Sequence, residues 1–296
     1  MNENYVFEKY NGIGNDYLIF DPNKNEGSLT EEQIRQICDR NFGIGSDGIL
    51  VGPVFDDGKT KVRIFNPDGS EAEKSGNGLR IFAKYLKDAG YQIDPKFRVS
   101  TIGGDVEIEY INKTATLIKV SMGKLSFRAG DVGMNTEELP VSEADEWINK
   151  PLKFGDGEYS TTCVSIGNPH CVIQMNQVTK EKACELGKYS ENTSYFKDKV
   201  NTQIAWVKDR RNVSIEVYER GAGYTLSSGS SSCAAAGALY RQGLIDPVVT
   251  VHMPGGDLEI EILHDMEVLM TGRVSSVGKI TLAPAFFEEF AEQMNE

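Results

Sequence analysis

The sequence predicts an α/β fold built as two similar halves, and three observations lead there. Short runs of β-branched and aromatic residues dominate, with few helical stretches between them. Two helical stretches open on small residues, after Gly76-Asn77-Gly78 and after Gly229-Ser230-Ser231, at a constant offset of 153 residues (228 − 75). With 296 residues the chain is also too long for one small core.

In the first half the strands expected from β-propensity are Tyr17–Phe20, Ile49–Val51, Val62–Phe65, Phe97–Thr101, Val106–Tyr110 and Thr116–Val120. In the second half they are Thr162–Ser165, Val172–Gln174, Thr202–Val207, Val213–Tyr218, Val249–His252 and Leu258–Leu263. Helices are expected over Thr30–Arg40 and Lys180–Lys188, each introduced by a capping residue. Two more are expected over Leu79–Ala89 and Ser232–Gln242, following the two small-residue turns. Superposed at the offset above, Ser75-Gly76 matches Ser228-Gly229, Ala83 matches Ala236, Leu86 matches Leu239 and Gly90 matches Gly243. No low-complexity linker separates the halves, so a cleft between closely packed lobes is expected.

Composition excludes several function classes. A net charge of −13 argues against nucleic acid, whose phosphates demand a basic face. No apolar run approaches the roughly 20 residues of a membrane span. Met1–Tyr5 lacks the basic start of a signal peptide, so cytoplasmic localisation is expected. The five cysteines are odd in number and lack C-x-x-C spacing, which predicts neither a disulfide framework nor a zinc site. They are expected to be mostly buried, reduced and structural. His170, His252 and His264 are scattered, so no metal is expected.

The two small-residue helix starts carry the chemistry. A helix N-terminus exposes unpaired N–H groups and about half a positive charge. Small residues there let a ligand approach the backbone, so the two starts could grip one carboxylate from two sides. Other polar segments are expected in loops between strands: Asn11–Asp16, Asn66-Pro67-Asp68-Gly69, Gly167-Asn168-Pro169-His170, Val200–Thr202 and Glu219-Arg220-Gly221-Ala222-Gly223. Each asparagine alone reads first as a turn residue. Arg220 can fork onto a carboxylate while Glu219 accepts an ammonium, which together suits a zwitterionic amino acid.

The string Phe65-Asn66-Pro67-Asp68-Gly69-Ser70-Glu71, followed by Gly76-Asn77-Gly78-Leu79-Arg80, resembles the first active-site motif of the diaminopimelate epimerase family. Glu219–Gly223 followed by Ser228-Gly229 resembles the second, and Gly12-x-Gly14-Asn15-Asp16, Gly43-x-Gly45-x-Asp47-Gly48 and Gly167–His170 match as well. The resemblance covers nearly the whole chain in order. It implies two pseudo-symmetric α/β domains, each a curved, mostly antiparallel sheet wrapped around a central helix. The expected domains are residues 1–120 with 275–296, and residues 121–274. It also implies an amino-acid epimerase that uses no pyridoxal phosphate, metal or other cofactor, and often a homodimer. The implied partner is a small amino acid with two carboxylate and ammonium heads, diaminopimelate first, with no nucleic acid or membrane.

By resemblance, Gly76, Asn77, Gly229 and Ser230 would hold the reacting carboxylate. Asn15, Asn66, Asn168, Asn201, Glu219 and Arg220 would hold the distal head. In the family a cysteine precedes each of the two glycines, and the two thiols exchange the α-proton from opposite faces. Here Ser75 and Ser228 stand at those positions, Tyr224 stands where a glutamate is usual, and Gly48 where a longer polar residue is common. A hydroxyl is a far weaker acid than a thiol and needs an adjacent base, so Lys74, Glu219, His170 and Tyr224 are candidate activators. The expected catalytic set is Ser75, Ser228, Glu219 and His170. Two other readings share the fold: an isomerase or lyase with different proton chemistry, and a non-catalytic amino-acid binder.

Overall fold

The computed structural model describes residues 5–295. The chain divides into two compact units, Met1–Val120 with Gly272–Glu296, and Ser121–Thr271. The first contains β1 (Val6–Gly12), β2 (Asn15–Phe20), α1 (Glu31–Cys38), β3 (Ile49–Asp56), β4 (Lys59–Phe65), the short β5 (Glu71–Ala72), α2 (Gly76–Asp88), β6 (Lys96–Thr101) and β7 (Gly104–Tyr110). The strand β8 (Leu117–Lys124) carries the chain over the border. The second contains α3 (Ala129–Val132), β9 (Lys150–Phe154), β10 (Gly157–Ser165), β11 (Pro169–Gln174), α4 (Lys180–Glu191), β12 (Asn201–Asp209), β13 (Asn212–Glu219), β14 (Gly223–Thr225), α5 (Gly229–Arg241), β15 (Val248–Met253) and β16 (Gly256–Ile262). From β17 (Glu267–Arg273) the chain returns to the first unit with β18 (Ser275–Thr281) and α6 (Phe286–Asn295).

Strand pairing shows that the two units share one topology. In the first, β1 pairs antiparallel with β2, β2 parallel with β3, β3 antiparallel with β4, and β4 antiparallel with β5 but parallel with β6. β6 and β7 form a hairpin, and β18 closes the far edge against β1. In the second unit, β10, β11, β12, β13, β14, β15 and β16 repeat that sequence of antiparallel and parallel neighbours in the same order, and β9 takes the place of β18. The parallel steps follow helical crossovers, as geometry demands.

Each unit wraps its sheet around one buried helix. Every residue of α2 from Gly76 to Leu86 is buried, as is α5 from Ser231 to Leu239. α2 packs on β1, β2 and β3, and α5 packs on β10, β11, β12, β13, β15 and β16. Burying a helix on all sides needs small or apolar residues all round. The run Ala234-Ala235-Ala236-Gly237-Ala238 meets that need, and a Cβ on Gly237 would come within 2.3 Å of Leu125. The expected fold class is therefore found: α/β, with a curved, mostly antiparallel sheet around a central helix in each half.

The differences from expectation are local. α2 and α5 begin at Gly76 and Gly229, so the small-residue turns are their first helical turn rather than loops before them. The polar segments expected in loops lie largely at strand ends: Asn15 and Asn201 open β2 and β12, Pro169 and His170 lie in β11, and Glu219 ends β13. Strands β1, β5, β9, β14, β17 and β18 were not expected. β5 and β14 are too short for periodicity to register, and β9 carries a proline. Among the described residues no helix is long and apolar enough to cross a membrane.

Candidate active site

The shared topology brings the motif residues of each unit to one end of its sheet. Parallel β2 and β3 both start at this end, and β4, antiparallel to β3, finishes there. The second unit does the same with β11, β12 and β13. The helix after each short strand starts beside them. One hairpin turn per unit braces the approach: the Gly103 N–H donates to the Glu73 carbonyl (3.1 Å), and the Gly255 N–H to the Leu226 carbonyl (2.9 Å). Both acceptors lie two residues before the serine that starts the helix. A Cβ on Gly103 would stand 2.8 Å from the Glu73 oxygen, so glycine permits this contact.

Ser75 and Ser228 are the N-caps of α2 and α5. The Ser75 hydroxyl oxygen accepts from the Gly78 N–H at 3.0 Å, and that of Ser228 from the Ser231 N–H at 3.4 Å. Serine is among the preferred N-cap residues because its short side chain reaches this donor. The first turns of α2 and α5 contain no acidic residue, whereas α1 has Glu31 and Glu32 there and α4 has Glu181. The positive ends of the two central helices thus carry no carboxylate from their own first turns, which suits them to receive a ligand's anion.

In the first unit a hydrogen-bonded chain fixes the asparagines. Asn15 Nδ2 donates to Asp47 Oδ2 (2.8 Å), and Asn77 Nδ2 donates to Asn15 Oδ1 (3.1 Å). Arg80, fully buried, donates to Asn77 Oδ1 (2.6 Å) and to the Gly76 carbonyl (3.2 Å). Asp47 in turn accepts from Arg40 (2.6 Å), which also binds Asp16 (2.7 Å). Asn66 sits in the turn after β4, where its Nδ2 donates to Ser70 Oγ at 3.0 Å. The Tyr17 and Ser75 hydroxyls lie 3.2 Å apart.

The second unit has a parallel set. Asn201 donates to the Pro169 carbonyl (2.9 Å) and accepts from the Arg220 N–H (3.1 Å). This ties the start of β12 to the motif after β13. The exposed Arg220 guanidinium donates to the Asp198 carbonyl at 3.0 Å. His170 is fully buried, with Nε2 3.0 Å from Asn168 Oδ1 and Nδ1 3.0 Å from Gln203 Nε2. Gln203 Nε2 also donates to Ser231 Oγ (3.0 Å). An amide donor at Nδ1 leaves the ring proton on Nε2, facing Asn168. Burial pushes the His170 pKa down to about 3, so the ring is neutral. Tyr224 donates to Glu216 (2.7 Å) under the Lys180 ammonium, and burial, with Glu216, raises its pKa. Ser230 Oγ lies 3.5 Å from Ser228 Oγ.

The structure thus joins Asn15 with Asn77, Asn201 with Arg220, and Asn168 with His170. Glu219 closes β13 half-buried next to Arg220 in sequence. Lys74 is half-buried beside Ser75 in sequence. Tyr17 and Gln203 were not singled out from sequence, and Asp47 and Arg80 stood there only as members of longer motifs. The repeat offset is a signal that reaches one of them, since Tyr17 stands 153 residues before His170 (170 − 17). Cys38, Cys163, Cys171 and Cys233 are buried, as expected. Among the described residues no group of three or more His, Cys, Asp or Glu is placed to hold a metal ion.

Known proteins share both the sequence and the architecture. The sequence profile of diaminopimelate epimerase matches residues 7–128 and 162–277. The chain is 43% identical to diaminopimelate epimerase 2 of a Nostoc species, over 95% of this chain and 96% of that protein. It is 36% identical to the diaminopimelate epimerase of Halothermothrix orenii, over 93% and 98%. In three dimensions it is similar to a hydroxyproline epimerase from Agrobacterium vitis, with a TM-score of 0.67 at 12% identity, over 95% of this chain and 93% of that one. Two units of one topology, two serine-capped acid-free helix starts and a match that runs through both motifs lead to one assignment: the chain belongs to the diaminopimelate epimerase family.

Proposed function

We propose that this protein is a cofactor-independent epimerase of a two-headed amino acid, with diaminopimelate as substrate, acting in the cytoplasm as a homodimer. The observation that carries the reading is the duplicated helix start, capped by serine and free of acidic residues in its first turn. The N–H groups at Gly76, Asn77, Gly229 and Ser230 receive the α-carboxylate, where two helix ends offset the charge that develops as the α-proton leaves. Ser75 and Ser228 exchange that proton on opposite faces of the α-carbon. Asn15, Asn66, Asn168, Asn201, Glu219 and Arg220 hold the distal head, with Glu219 accepting its ammonium and Arg220 its carboxylate. His170, neutral and donating to Asn168 Oδ1, fixes the orientation of the amide that is to donate to the distal head. The two proposed domains are residues 1–120 with 275–296 and residues 121–274.

A substrate panel tests the reading. Loss of optical rotation is followed for LL-diaminopimelate, L-lysine and L-glutamate. Turnover of the two-headed substrate alone is expected. Equal turnover of the single-headed amino acids would remove the distal-head assignment. The hydroxyls at 75 and 228 favour a second reading, a binder that closes on the amino acid without exchange, because serine is a far weaker acid than thiol. Tight calorimetric binding of LL-diaminopimelate with no turnover would select it.

A further inference from the structure

We infer that Tyr17 is the proton partner of Ser75, a positioning residue that lets a serine do the work of a stronger acid on one side of the reaction; this rests on the epimerase reading above. The geometry comes first. The two hydroxyl oxygens are 3.2 Å apart, between a buried tyrosine, 6% exposed, and a half-buried serine. Ser75 Oγ also accepts the Gly78 N–H at 3.0 Å. A phenol and a backbone amide therefore converge on the atom that would carry negative charge whenever Ser75 gives up its proton.

The ring has room because of Gly48. The Leu18 N–H donates to the Gly48 carbonyl (3.1 Å), which sets the two strands side by side. A Cβ on Gly48 would stand 2.6 Å from Tyr17 Cε1 and 2.4 Å from the Phe65 carbonyl oxygen. At the repeat-equivalent positions of the second unit stand His170 and Asn201, paired across β11 and β12. There the histidine turns to Asn168 and Gln203, and the asparagine holds Pro169 and Arg220. Where the second unit has that histidine–asparagine pair the first has tyrosine–glycine, and its tyrosine places a hydroxyl on the capping serine. The two units are therefore chemically unlike at these equivalent positions.

The proton step balances without a co-reactant. As the carbanion face is reprotonated, the Ser75 Oγ–H bond breaks and a Cα–H bond forms. The Tyr17 Oη–H bond breaks in concert and its proton restores the serine, leaving a phenolate. In the reverse direction the phenolate takes the Ser75 proton as Ser75 Oγ takes the α-proton. A phenol's ordinary pKa of about 10 lies far closer to neutrality than the roughly 15.7 of water, which a serine hydroxyl approaches.

A double-mutant cycle tests the pairing, with α-proton exchange into deuterated water as the readout on LL-diaminopimelate. Tyr17→Phe is expected to slow exchange about 100-fold when residue 75 is serine, the lower range of general acid–base contributions. In the Ser75→Cys protein, whose thiol has its own acidity, the same change is expected to cost under about tenfold. Equal losses in both backgrounds, as a purely structural tyrosine would produce, overturn the inference, as does no loss in either. The wild-type pH profile should also lose its phenol limb in Ser75→Cys. If the wild type exchanges no α-proton at all, the epimerase reading fails. The pairing is then decided by the Tyr17 ¹³Cζ resonance, which must move on Ser75→Ala for the pairing to stand; an unmoved resonance overturns it.

Discussion

Ser75 and Ser228 hold the same backbone conformation, with φ/ψ of −139°/118° and −146°/125°, and each accepts a hydrogen bond from the N–H three residues on. Whatever chemistry they perform, both therefore have a structural task. Replacing either by alanine removes the cap and should cost about 1 kcal/mol of stability. Urea denaturation of each variant checks this, with glycine expected to cost only a few tenths of a kcal/mol, because it is tolerated at an N-cap. If Ser75→Ala and Ser75→Gly abolish exchange alike while differing in stability, the hydroxyl's chemical and structural roles are separated.

His170 should shape the acid limb of the stability curve. Its folded pKa of about 3 lies below the ordinary histidine value, so the unfolded chain takes up a proton that the folded chain refuses. The stability this contributes is fully present above the unfolded pKa of about 6.5 and is lost as pH falls from there toward 3. The slope from this one group is about 1.4 kcal/mol per pH unit within that window. Denaturation of wild type and His170→Gln at pH 7, 6, 5 and 4 should give converging stabilities as pH drops. Parallel curves would show that the ring is not held neutral.

Asp47 never needs to touch a ligand to matter. It accepts from Asn15 Nδ2 and from the Asp16 N–H at 3.0 Å, and so orients the Asn15 amide. Asp47→Ala leaves that amide held only by Asn77, and KM should rise about tenfold with kcat changed far less, the pattern of lost uniform binding. Steady-state kinetics on LL-diaminopimelate separates the two parameters.

Gly48→Ala tests the space beside Tyr17. The added methyl meets a backbone carbonyl as well as the ring, so displacing the tyrosine alone cannot relieve it. A loss of about 1–3 kcal/mol is expected, the ordinary range for overpacking. Thermal unfolding reads it. A variant as stable as wild type would show that the strand start is not packed as described.

Much of this was legible in the sequence because the repeat is long and its helices are marked. The 153-residue offset between Ser75-Gly76 and Ser228-Gly229 holds for the strand order as well. The motifs located Asn15, Asn168 and Asn201, polar residues at strand ends that interrupt apolar runs, and Asn77 in the first turn of α2. Tyr17 and Gln203 were not legible. Each is a polar side chain inside a run that reads as core, and only contacts between distant segments show its hydrogen bonds: Tyr17 to Ser75, Gln203 to His170 and Ser231. Arg80 stood in a quoted motif, but only the structure shows it fully buried in α2 and bonded to Asn77 and Gly76. The weakest strands escaped notice because β5 and β14 exist only through their pairing with β4 and β13.

The central claim is that two serines, each capping the first turn of a central helix, exchange the α-proton of one amino acid. Incubating wild-type protein with LL-diaminopimelate in deuterated water, with mass spectrometry for deuterium and chiral chromatography for configuration, measures this most directly. The predicted result is one deuterium at an α-carbon together with inversion of that centre, abolished in the Ser75→Ala/Ser228→Ala double variant. Inversion that persists in the double variant, or wild-type protein that binds the amino acid and leaves its α-proton in place, would contradict it.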